Sequence, residues 1–125
     1  MDLSNISTAD YSFKAKVVNL ILSKDTEEAL QLLSQHYQVA KPTLRVGMPK
    51  RYSSKLACYV AKKRTIHVAH RQILHNPNVV LHEFYHHLRN VTDRQKGVEK
   101  YADRFAEDYL KAYKRVTARS KTLDA

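Results

Sequence analysis

The stretch Val79–Leu88 limits the possible folds of this chain more than any other. It reads Val-Val-Leu-His-Glu-Phe-Tyr-His-His-Leu. Wound as a helix at about 100° per residue, it carries apolar side chains on nearly every side. Such a helix belongs inside a domain. Asn76-Pro77-Asn78 opens it, with Pro77 tolerated in the first turn, where its missing N–H has no helical partner. A chain of 125 residues can wrap one core around it without disulfide staples, and the single cysteine, Cys58, permits no internal disulfide. Burial makes His82, Glu83 and His86 costly unless each finds a partner.

The flanking segments supply the wrapping. Residues 1 to 10 are polar and expected to fray. From Ser12 to Leu22, Phe13, Val17, Leu20 and Ile21 recur at helical spacing. A second helix is predicted from Thr26 to Tyr37, capped by Asp25, with Glu27 and Glu28 in its first turn. Ala29, Leu30, Leu33 and Tyr37 form its apolar stripe. Pro42 ends the helical pattern. Three strand candidates follow: Thr43 to Val46, Leu56 to Ala61 and Thr65 to Ala69. The last two read as a hairpin joined through Lys62-Lys63-Arg64. The basic loop from Pro49 to Lys55 is expected to be mobile. A long final helix starts between Thr92 and Val98. The capping-box spacing of Thr92 and Gln95 favours the early start, and Gly97 the later one. From Val98, the residues Tyr101, Ala102, Phe105, Tyr109 and Tyr113 continue its apolar stripe, and the tail 120–125 is expected to be disordered. The whole chain, 1–125, is thus expected to be one α+β domain with a twisted sheet of three or four strands.

Lysine and arginine number 22 against 12 acidic residues, a formal charge of +10. The bases are spread along the chain, with a local enrichment at Lys111, Lys114, Arg115, Arg119 and Lys121. A surface of this sign attracts polyanions such as nucleic acid, acidic lipid or acidic protein. No apolar run approaches the roughly 20 residues of a membrane span. The run Val17–Leu22 follows Lys14 and Lys16 but contains Asn19 and meets Lys24-Asp25 without a small-residue cleavage site. A monomeric cytoplasmic protein is expected.

His82-Glu83-Phe84-Tyr85-His86 is an HExxH segment. Residues four apart share one face of a helix, so the two imidazoles can converge on one tetrahedral Zn²⁺. Glu83 then stands beside the metal and can take a proton from the attacking water. Shuffling this composition yields the pentapeptide about once in 70 trials, so its helical context and a third ligand carry the weight. No histidine follows His87. A carboxylate must therefore complete the site, and Glu99-Lys100-Tyr101-Ala102-Asp103 offers two on one helical face. Glu99 can ligate. Asp103 can accept a hydrogen bond from the far nitrogen of a ligating imidazole, which sets its tautomer. Ala102 between them lets two helices approach.

HExxH followed by ExxAD resembles the gluzincin clan of zinc metallopeptidases, and the short chain looks most like the minigluzincins. The resemblance spans about Leu56 to Tyr109. It implies a zincin-like catalytic core binding one Zn²⁺, with peptide or protein as substrate. It makes His82, His86 and Glu99 the ligands, Glu83 the general base and acid, and Asp103 the orienter of a histidine. It also implies an edge strand above the active-site helix that pairs with extended substrate, here Leu56, Ala57, Cys58, Tyr59, Val60 and Ala61. Larger gluzincins steady the oxyanion with Tyr or His groups of a further domain. The candidates in this chain are Tyr59, His70, Arg104 and Tyr109.

Other residues read as structural. His87 points about 100° away from His86 and is expected to pack or to support a ligand. His67, His36 and His75 read as strand, helix-end or loop residues, Glu107 and Asp108 as a solvated face, and Cys58 as a small buried apolar group. The competing class is a non-catalytic binding module with a structural zinc. In it, Lys50, Arg51, Lys55, Lys62, Lys63 and Arg64 would form a phosphate-contacting rim around the hairpin.

Overall fold

Four helices and a small sheet make up the fold in a computed structural model that describes residues 3–93 and 98–124. In chain order these are α1 (Leu3–Leu22), α2 (Thr26–Tyr37), β1 (Thr43–Val46), β2 (Ala57–Val60), β3 (Thr65–Val68), α3 (Pro77–Asp93) and α4 (Glu99–Asp124). Short 3₁₀ turns occupy Lys50–Tyr52, Ala61–Lys63 and Arg71–His75. The architecture is α+β with a three-stranded mixed sheet.

β3 is the central strand. It pairs in parallel with β1, Thr43 opposite Thr65, and antiparallel with β2, Ala57 opposite Val68. Its Thr65, Ile66 and Val68 are buried, as a β-branched strand flanked on both edges should be. β2 and β1 are therefore the two sheet edges. The β2–β3 connection turns at Arg64, whose φ of 46° is left-handed and whose N–H bonds the Ala61 carbonyl at 3.2 Å. β1 stops at Gly47, where φ is 117° and the N–H reaches the Val68 carbonyl at 2.7 Å. Only glycine takes that backbone conformation without strain.

α3 lies between the sheet and α4 and contacts both. From Val79 to Val91 none of its residues is exposed, and Val80, Leu81, Phe84 and His87 are fully buried. These side chains meet Val17, Val18 and Ile21 of α1, Leu30 and Leu33 of α2, Ile66 and Val68 of β3, and Ala106 and Tyr109 of α4. Each large aliphatic side chain so buried contributes about 1.5–3 kcal/mol. α4 comes close to its neighbours through small residues: Ala102, Ala106 and Ala112 are all fully buried. Among the described residues, no helix is long and apolar enough to cross a membrane.

The structure departs from the sequence expectations in local detail. α1 begins at Leu3 rather than Ser12, and α4 extends to Asp124. Asp25 stands at the start of α2 but its side chain makes no capping hydrogen bond. Its carbonyl instead accepts the Ala29 N–H at 3.1 Å. Thr92 does not cap α4. It lies in the last turn of α3, where its hydroxyl donates to the Leu88 carbonyl at 2.6 Å. Gln95 and Gly97, the other markers of that boundary, lie outside the described residues. The loop Pro49–Lys55 holds successive turns, with Tyr52 N–H on the Pro49 carbonyl and Lys55 N–H on the Tyr52 carbonyl.

Candidate metal centre

The HExxH residues meet the first turn of α4. Glu99 is the first residue of that helix, where the unpaired N–H groups favour a carboxylate. Asp103 follows one turn later on the same face. Ala102, between them and fully buried, lets α4 sit against α3. Glu99 thereby reaches both histidines: Oε2 lies 3.0 Å from His82 Nε2, and Oε1 lies 2.7 Å from His86 Nε2. The two histidine Nε2 atoms are 3.3 Å apart. One donor atom each from His82, His86 and Glu99 thus falls within a single small cluster.

Asp103 fixes the tautomer of His82. Its Oδ1 lies 2.9 Å from His82 Nδ1, and a carboxylate only accepts. His82 Nδ1 therefore carries the proton and donates it to Asp103, leaving Nε2 with a bare lone pair in the neutral ring. A bare nitrogen and a carboxylate oxygen 3.0 Å apart repel unless a proton or a cation lies between them. Two imidazoles and a carboxylate form a donor set that suits Zn²⁺. The donor separations approach the roughly 3.4 Å edge of a tetrahedral zinc site with bonds near 2.0–2.1 Å. The residues present fit the ion.

Glu83 lies beside this cluster and is 9% exposed. Burial is the main cause that pushes its carboxyl up to about 7. The charge of Glu99 adds to the rise, while His82 and Lys55 act against it. Glu83 and His82 form one side of a cleft of about 320 Å³. Lys55, Leu56 and Ala57 at the start of β2, with Asn78 and Val79 in the first turn of α3, form the rest.

The structure revises the edge-strand expectation. β2 is an edge strand, but it covers Ala57–Val60 alone. Leu56 lies in the preceding bend, 62% exposed, and Ala61 already belongs to the following turn. Leu56 and Ala57 line the cleft, Cys58 is buried, and Tyr59 points elsewhere.

None of the four oxyanion candidates lines the cleft. Tyr109 is 1% exposed in the core, with its hydroxyl 2.6 Å from that of Tyr37. The Tyr59 hydroxyl is 2.7 Å from His87 Nδ1 and accepts from Asn90 Nδ2 at 3.0 Å. Arg104 is exposed on α4 with its guanidinium 5.6 Å from the Tyr101 ring centre. His70 is exposed, and its carbonyl accepts the Ile73 N–H in the turn before α3.

The remaining histidines are structural. His87 is fully buried; its Nε2–H donates to the Ala40 carbonyl at 2.7 Å, so its Nδ1 accepts from Tyr59. Burial lowers its pKa and keeps it neutral. His67 Nδ1 bonds the Gly47 carbonyl at 2.9 Å, and His36 stacks on Phe13 with ring centres 4.1 Å apart. Glu107 and Asp108 are exposed. Sequence reasoning missed Asn78 and Val79 as cleft residues. Both were within its reach, because they stand four residues before His82 and Glu83 and so share their faces.

No family model matches the chain, and comparisons with curated proteins and with solved structures likewise find no match.

Proposed function

We propose that this protein is a zinc-dependent metallopeptidase of gluzincin type. The observation that carries the reading is the convergence of His82, His86 and Glu99, with Asp103 behind His82 and Glu83 beside it at the cleft. A structural metal site would have no need of a buried carboxyl next to its ligands and open to a cleft.

Zn²⁺ held by His82, His86 and Glu99 would supply Lewis-acid polarisation of the scissile carbonyl and acidification of a water. The chain's own groups do the rest. Glu83 takes a proton from the attacking water at a carboxylate oxygen and delivers it to the leaving amine. The burial that raises its carboxyl suits a proton carrier working near neutral pH. Asp103 holds the Nδ1 proton of His82 and so keeps Nε2 available as a ligand. The outer edge of β2 offers main-chain N–H and C=O groups to an extended peptide, which would add as a further strand.

The test pairs metal analysis with two variants. Wild type should bind one zinc per chain and cleave an unstructured polypeptide. Glu83→Gln should keep its zinc and lose turnover about 10²- to 10⁴-fold. Glu99→Ala should lose the zinc. Equal cleavage by Glu83→Gln, or equal zinc in Glu99→Ala, would reject the assigned roles.

A further inference from the structure

The bases of this chain are dispersed, but its acids are not. No aspartate or glutamate stands between Glu28 and Glu83, so every charged side chain of the sheet and its connections is a lysine or arginine. Arg45, Lys50, Arg51, Lys55, Lys63 and Arg64 are all exposed there. Among the described residues, Lys41, paired with Glu27, is the only base of this segment in an ion pair. Beyond the cleft, Glu99 and Asp103 bond the two histidines, and among the described residues Glu83 is the one acid that lines the cleft. A substrate lying on β2 therefore meets a predominantly positive field on the sheet side.

Inside the cleft that field narrows to one group. Leu56, Ala57 and Val79 give it aliphatic walls, His82 and Glu83 line its metal side, and among the described residues Lys55 is its one lysine or arginine. Asn78 adds one amide to the lining. Lys55 lies in the bend that leads into β2; its ammonium is 5.6 Å from the Tyr52 ring centre, and its charge is felt by Glu83 across the cleft. Aliphatic walls beside an ammonium and an amide complement a side chain with an apolar stem and an anionic tip, which is a glutamate.

We propose that the cleft selects acidic polypeptides, taking a glutamate next to the scissile bond with its stem on Leu56 and Val79 and its carboxylate on Lys55 and Asn78. The inference rests on the peptidase reading and names its substrate class. The surrounding cations steer the anionic chain to the cleft, so its association slows as salt rises. A single partly exposed ion pair gives a modest preference, about fivefold.

The test uses the full zinc-loaded chain and a matched peptide set with Glu, Gln or Lys at each position around the cleaved bond. Cleavage is followed by mass spectrometry and binding by fluorescence anisotropy of labelled peptides. Wild type should favour Glu over Lys by about fivefold or more in kcat/KM at one position, and Lys55→Glu should reverse that order. Cleavage of all three at equal rates, or an order unchanged in Lys55→Glu, would overturn the inference and leave the peptidase reading standing. Salt-sensitive binding of the Glu peptides that Lys55→Glu abolishes, with no cleavage of any, would keep the acidic specificity and overturn the peptidase reading. A single-stranded oligonucleotide that binds more tightly than every acidic peptide and displaces them would overturn the acidic-peptide assignment in favour of nucleic acid. Neither binding nor cleavage of any peptide would overturn both.

Discussion

His86 and His87 are neighbours on one helix and meet opposite surroundings. His87 faces the sheet, is fully buried, and has both ring nitrogens bonded to neutral partners, the Ala40 carbonyl and the Tyr59 hydroxyl. His86, with His82 one turn before it, faces α4, is only half-buried, and has a carboxylate oxygen for a partner. The residue type is the same and the turn of about 100° between them decides the role. A histidine whose two nitrogens are both satisfied by neutral groups locks packing. Histidines gathered around an acid beside a cleft offer donor atoms that could hold a cation. A buried histidine thus becomes informative only once its partners are known.

The contrast can be broken most severely at His87. His87→Ala removes a core ring and strands the Tyr59 hydroxyl and the Ala40 carbonyl. It should lower unfolding stability by about 3 kcal/mol in chemical denaturation. His82→Ala in zinc-free protein should cost less than about 1 kcal/mol and abolish zinc binding. If the two variants behaved alike in both assays, the division of roles would fail. Next in size is Asp103→Ala. It frees the His82 tautomer and should weaken zinc about 10- to 100-fold by competition with a chelator, without a comparable loss of fold. Tyr59→Phe removes the donor to His87 Nδ1. About 1 kcal/mol of stability should go with it while zinc affinity stays as it was.

The smallest effect is on acid stability. Burial holds the folded pKa of His87 below its ordinary value of 6.5. Between that depressed value and about 6.5 the unfolded chain binds a proton that the folded chain refuses. His87 therefore contributes stability that is complete above about pH 6.5 and declines as pH falls from there toward the folded pKa. Denaturation of the zinc-free protein from pH 8 to 5 should show this decline, and His87→Gln, which cannot titrate, should show a shallower one. Parallel curves would remove His87 from the account.

Much of this was legible in the residues. The bounds of α2 and β1 and the start of α3 followed from Pro42, Pro77 and the spacing of apolar residues, all local signals. The meeting of Glu99 and Asp103 with His82 followed from helical spacing and from the small Ala102 between them. Non-local pairing was not legible. Nothing near Thr43 announces that β1 joins β3 in parallel, because the partner lies beyond β2 in the chain. Nor could Tyr59 and Tyr109 be told from oxyanion donors, since their partners His87 and Tyr37 come from other elements. The start of α1 was missed because a polar first turn resembles a frayed end, although the helix continues through it.

His82, His86 and Glu99 are proposed to hold one divalent ion. Calorimetric titration of zinc into wild type and into Glu99→Ala addresses it most directly. One ion per chain in wild type, with no zinc bound by Glu99→Ala over the same range, is the predicted result. Equal affinity and stoichiometry in the two proteins, or no binding to wild type, would contradict it.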